Sequence, residues 1–171
     1  MEPSHEYSVE DWLVHAVFGI GQITAVEEKG ISGANVAYFR IQTADSTFWI
    51  PVDRMENQDL RPLFSKAEIQ IVIAILLTPP EAMSSNHQMR KNDIHRVLLL
   101  NAPADSARLI RDLRARQRER GELNLEEHNA LRALKQRLVD EWVMVTGEQA
   151  DQVTSRIDDL LNTPHAPGQN E

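Results

Sequence analysis

Six histidines (His5, His15, His87, His95, His128 and His165) are the side chains of this chain with the widest chemical repertoire. A zinc hydrolase of the H-E-x-x-H type sets two imidazoles one helical turn apart so that both reach one ion from one face. No two histidines here stand at that spacing. The chain has no cysteine, which removes disulfides, thiolate metal sites and cysteine nucleophiles together. Neither G-x-x-x-x-G-K-S/T nor G-x-S-x-G occurs, and no pair of carboxylates is set for acid–base work. The expectation is a protein without catalytic residues, cofactor or metal, one that works by binding; His15 reads as a hydrogen-bonded structural histidine.

Recognition chemistry is better represented. Trp49 stands in Thr47-Phe48-Trp49-Ile50-Pro51-Val52, a run of β-formers. An exposed tryptophan on an edge strand suits the anchor of a partner surface, the other reading being a plug in an interdomain joint. Trp12 is expected to be structural, and Trp142, on the apolar stripe of a helix, to be core. Arg108, Arg111, Arg114, Arg116, Arg118 and Arg120 invite a nucleic-acid reading. At about 100° per residue they spread around a helix, and Asp112 and Glu119 interrupt them, so a solvated face is expected. The net charge of −8 favours a protein partner, because a free-standing nucleic-acid binder carries a basic excess that neutralises phosphates. The front of the chain is the acidic part, with 4 Lys and Arg against 10 Asp and Glu in residues 1–64.

Two different periodicities must position these groups. From Val9 to about Leu63 the chain reads as short strands at close spacing, a small β-barrel. Gly19-Ile20-Gly21 lets the chain turn sharply after the strand Trp12-Leu13-Val14 and approach a neighbour closely. Gln22–Glu28 and Val36–Thr43 are expected to pair as a hairpin across the turn-rich Lys29–Asn35. Pro51 cannot donate to a ladder, so its strand belongs at an edge. From Ser65 the period changes to about 3.6. Ser65-x-x-Glu68 is a capping box ahead of Ile69, Val72, Ile73 and Leu76, and Thr78-Pro79-Pro80 stops that helix. A second helix is expected over roughly 86–100 with Met89, Val97 and Leu100 apolar, and a third with Ile110 and Leu113, ended by Gly121. Asn124-x-x-Glu127 caps a fourth with Leu131, Leu134, Leu138, Trp142 and Val145 on one stripe, closed by Gly147. A fifth carries Val153, Ile157, Leu160 and Leu161. Residues 1–8 are expected to fray and 163–171 to form a disordered tail. The fold class is α+β, with domains at 1–64 and 65–162. The longest apolar run, Ile71 to Leu77, is far short of the ~20 residues that span a bilayer, and no signal peptide is seen, so a cytoplasmic protein is expected.

In this order the chain resembles the CarD/CdnL family of bacterial RNA-polymerase-binding transcription regulators over roughly residues 8 to 162. The family's opening D-x-V-V-H-P-x-x-G-x-G is matched by Asp11-Trp12-Leu13-Val14-His15-Ala16-Val17-Phe18-Gly19-Ile20-Gly21, with alanine for proline. Ile31-Ser32-Gly33 matches the I-x-G turn, Ile50-Pro51-Val52 the V-P-V strand, and Leu60-Arg61-Pro62-Leu63 the closing L-R-x-L/V strand. The resemblance implies a Tudor-like (SH3-like) antiparallel β-barrel that docks on the RNA polymerase β subunit by pairing strand edges. Lys29, Ile31, Trp49 and Pro51 align with its polymerase contacts. It implies a helical domain that meets promoter DNA at the upstream bubble edge, where a tryptophan wedge beside basic residues prolongs the open complex. The family's N-W-x-R-R-Y-x-x-N/K stands here as Asn86-His87-Gln88-Met89-Arg90-Lys91-Asn92-Asp93. His87 occupies the wedge position, with Arg90 and Lys91 as the basic residues. Imidazole is a smaller and more polar wedge than indole. Two readings follow: a monomeric transcription regulator acting on open-complex stability, or a polymerase-bound scaffold whose helical domain has exchanged DNA for a protein partner.

Overall fold

The computed structural model describes residues 7–31, 34–55 and 59–164. Among the described residues five strands, β1 (Trp12–His15), β2 (Gly19–Ile31), β3 (Ala34–Thr43), β4 (Thr47–Pro51) and β5 (Leu60–Pro62), with a 3-10 turn at Val52–Arg54 between the last two, precede five α-helices. The helices are α1 (Lys66–Leu76), α2 (His87–Leu100), α3 (Pro103–Arg120), α4 (Leu125–Thr146) and α5 (Ala150–Asn162). The chain divides into two compact units, one of residues up to Leu63 with Leu99–Asn101, the other of Phe64–Leu98 and the rest from Ala102.

All ladders in the first unit are antiparallel, in the order β4-β3-β2-β1-β5. Among the described residues no ladder joins β4 to β5, so the expected barrel stands as an open five-stranded sheet with β4 at one edge. Pro51, without an N–H, ends that edge strand. The β2–β3 hairpin is longer than its turn-like residues suggested: pairing continues through Lys29↔Val36, Gly30↔Asn35 and Ile31↔Ala34. Ser32 and Gly33 of the expected turn lie outside the described residues, as do 1–6 of the expected frayed start and 165–171 of the expected tail. Gly21 is where the sheet requires glycine, since a Cβ there would lie 2.7 Å from Ile41 Cγ2. Gly19, at φ +74°, takes the left-handed turn between β1 and β2. Leu13, Ile23, Phe39, Ile41 and Met55 form the core on one face, with Phe48, Ile50 and Leu60 against it.

In the second unit both capping boxes are present. Ser65 Oγ accepts from Glu68 N and the Glu68 carboxylate from Ser65 N, and Asn124 and Glu127 repeat the exchange at α4. Gly121 and Gly147 close α3 and α4 in the left-handed conformation. Ile69, Val72, Leu76, Ile110, Leu113, Leu134, Leu138, Trp142, Val153, Ile157 and Leu161 share one core. The expected apolar face of α2 is corrected: Met89 and Leu100 are exposed, and the buried positions are Arg90, Ile94 and Val97. Of the α3 arginines, Arg108, Arg118 and Arg120 are exposed as a solvated face requires, whereas Arg111 is buried and Arg114 and Arg116 are half-buried. Arg111 is buried and bonds Asp112, Arg116 lies 3.3 Å from the Glu127 carboxylate, and Arg118 Nη2 donates to the Leu161 carbonyl at 2.6 Å. Arg116 and Arg118 thus fasten α3 to α4 and α5, the latter by occupying an orphan carbonyl at the end of α5.

Candidate functional site

Side chains alternate across a strand, so register decides which of them share a face. On the sheet face opposite the core, Arg40 pairs with Trp49, Tyr38 with both Glu27 and Pro51, and Val36 with Lys29. A bulge between Ile23 and Ala25 brings the β2 residues into this phase. Lys29, Trp49 and Pro51, from strands far apart in sequence, thus stand on one face beside the β4 edge. Ile31, the last residue of β2, pairs with Ala34 at the far end of the same hairpin.

Trp49 is 40% exposed. Its indole Nε1 donates to Glu27 Oε2 at 2.8 Å, and the Lys29 ammonium lies 3.7 Å from its ring centroid, a cation–π contact. Glu27 Oε1 in turn meets Arg40 Nη1 at 3.3 Å, and Arg40 Nε donates to Thr24 Oγ1 at 2.9 Å. Lys29 Nζ also stands 5.7 Å from the Tyr38 ring. The result is an exposed aromatic ring on a latticework of alternating charges at a sheet edge. Trp12, read as structural, is 39% exposed and occupies the same face through its pairing with Gln22 and that of Gln22 with Gln42.

Glu27 and Arg40 are the functional candidates that motif reading missed. The available signal was alternation: Glu27 and Lys29 are two apart on one strand and so lie on one face. Only the cross-strand register adds Arg40 and Trp49.

His15 ends β1, with its Nδ1 accepting from Val17 N at 3.0 Å and Phe18 N at 3.3 Å. Its ring lies 4.7 Å from Phe18 and 5.3 Å from Phe48. Burial pushes its pKa below the ordinary 6.5, against the opposing pull of Asp59. The arrangement braces a turn.

On α2, the residues expected to meet DNA separate. His87 is exposed at the first position of the helix. Lys91 is exposed and 3.6 Å from Glu126. Arg90 is only 6% exposed: its Nε donates to Glu127 Oε1 at 2.6 Å and its Nη1 to the carbonyls of Ser84 and Ser85, each at 2.9 Å. Burial alone would raise the Glu127 carboxyl, but the bonds from Arg90 and the Asn124 backbone, with the charge of Arg116, outweigh it and hold the group below the usual carboxylate range. Arg90 is therefore committed to the interior of the helical unit. Beside it, a groove of about 530 Å³ runs between α2 and α4, with Ile94, Leu98, Leu125, Ala130 and Ala133 among its lining residues.

Residues 7–64 match the family model described as the CarD-like/TRCF RID domain, and residues 71–158 the one described as the CarD C-terminal domain. A search of curated proteins returns no match.

Proposed function

The chain belongs to the CarD/CdnL family, a non-enzymatic family of transcription factors that interact with RNA polymerase, and we propose that it docks on the β subunit of bacterial RNA polymerase through the β4 edge. In this reading the five-stranded sheet is the family's Tudor-like unit, residues 1–64 are the polymerase-interaction domain, and 65–162 act near the promoter in the cytoplasm. The observation that carries it is the exposed Trp49 ring with Lys29 and Pro51 beside an edge strand that, among the described residues, has a ladder on one side only. Strand addition there supplies main-chain hydrogen bonds, and the alternate side chains supply selectivity.

The helical unit then modulates open-complex stability, with His87 and Lys91 as its DNA-facing residues. Arg90 is left out of that role because its guanidinium is buried on Glu127. That burial, together with the apolar groove between α2 and α4, favours a second reading, in which the helical unit holds a protein partner while the sheet stays docked. Open-complex lifetime on purified bacterial polymerase separates the two. For the DNA reading, His87→Trp prolongs the lifetime and His87→Ala shortens it relative to wild type. Equal lifetimes for all three, with polymerase binding intact, remove DNA from this helix and leave the scaffold.

A further inference from the structure

We propose that Glu27 is the positioning residue of the tryptophan face, holding the Trp49 indole in one orientation so that a partner meets a preformed ring surface. The affinity consequence rests on the polymerase reading above; the positioning itself does not. One carboxylate oxygen, Oε2, accepts from Trp49 Nε1 at 2.8 Å, while the other, Oε1, stands 3.3 Å from Arg40 Nη1. Arg40 is itself held, its Nε donating to Thr24 Oγ1 at 2.9 Å and Thr24 Oγ1 donating to the Arg40 carbonyl at 3.2 Å. The brace therefore runs Thr24, Arg40, Glu27, Trp49 across three adjacent strands. On the ring itself, Lys29 Nζ approaches to 3.7 Å from the centroid.

Two consequences follow from the chemistry. An exposed tryptophan left free to rotate loses side-chain freedom when a partner immobilises it, and one already fixed does not, so the brace favours binding by preorganisation. The second concerns what the ring offers. Its N–H is already donated and an ammonium covers one side, so the remaining surface is aromatic carbon. The partner group that meets Trp49 is accordingly an apolar side chain, with no hydrogen-bond acceptor required for the indole.

The test uses the ¹⁵N-labelled full chain, with the Trp49 indole resonance identified by its loss in Trp49→Phe. Its solvent-exchange rate and the affinity for purified bacterial RNA polymerase are measured side by side. Glu27→Ala is expected to speed indole exchange and to weaken polymerase binding by about tenfold, the scale of losing one preorganised side chain. Glu27→Gln, whose amide oxygen still accepts from the indole, is expected to restore most of both. In a Trp49→Ala background, Glu27→Ala is expected to change affinity by less than about twofold, since a residue that acts through another has nothing left to position. Arg40→Ala removes the brace and keeps the carboxylate, and gives an intermediate exchange rate even should Glu27→Ala not fold. Unchanged indole exchange in Glu27→Ala and Arg40→Ala overturns the proposal. So does an equal affinity loss with and without Trp49, which would mean that Glu27 touches the partner itself. If wild type does not bind polymerase, the polymerase reading fails, and the exchange rates alone decide whether Glu27 holds Trp49.

Discussion

His15 illustrates how one titratable side chain can tie a turn to pH. Neutral imidazole offers Nδ1 as an acceptor to Val17 N and Phe18 N, and protonation converts that acceptor into a donor facing two donors. Burial, opposed by Asp59, lowers the folded pKa below 6.5, so between the two values the unfolded chain binds more protons. The His15 contribution is thus fully present above about pH 6.5 and is lost as pH falls through the lower folded value. The urea midpoint of the sheet unit is expected to drop between neutral and mildly acidic pH. In His15→Asn, whose Oδ1 accepts the same backbone donors without titrating, that drop should shrink; an identical drop in both proteins would assign the pH dependence elsewhere.

Among the elements, α2 and α4 depend on a single buried charge arrangement. Arg90 and Glu127 are 37 positions apart, yet the guanidinium closes both the carboxylate and the carbonyls of the preceding loop. Removing Arg90 leaves Glu127 buried with only Arg116 still beside its carboxylate, so Arg90→Ala is expected to destabilise the helical unit by about 3 kcal/mol, the low end for breaking a buried pair. Trp142 fluorescence in a chain with Trp12 and Trp49 replaced by phenylalanine follows that unfolding. A change below about 1 kcal/mol would return Arg90 to the surface, where it is free to meet a phosphate. Along α4 itself, Leu134 and Leu138 are buried in the shared core. Leu138→Ala should cost about 2–5 kcal/mol by the same measurement, because the emptied volume is only partly filled by relaxation. A near-neutral Leu138→Ala would contradict the packing of this stripe.

For the molecule as a whole, much of the architecture could be read from residue patterns, and the gaps have physical causes. Capping boxes at Ser65 and Asn124 and left-handed glycines at 121 and 147 are local devices, complete within one or two turns, and so announce themselves. The hairpin end departs from its residue pattern because Gly30 and Asn35 are turn-formers that here sit opposite each other within a ladder. Arg116 departs from the solvated face because the carboxylate that holds its guanidinium, Glu127, lies on another helix, invisible to spacing. On the sheet, resemblance points to Lys29, Trp49 and Pro51 and alternation places Glu27 on the face of Lys29, whereas Arg40 joins them only through cross-strand register.

The proposed polymerase anchor is the exposed Trp49 ring at the β4 edge. It is tested most directly by the equilibrium affinity of the full chain, wild type and Trp49→Ala, for purified bacterial RNA polymerase. Trp49→Ala is expected to lose roughly 2 kcal/mol or more, about thirtyfold in Kd, with the sheet still folded by circular dichroism. A folded Trp49→Ala chain that binds polymerase as tightly as wild type would contradict it.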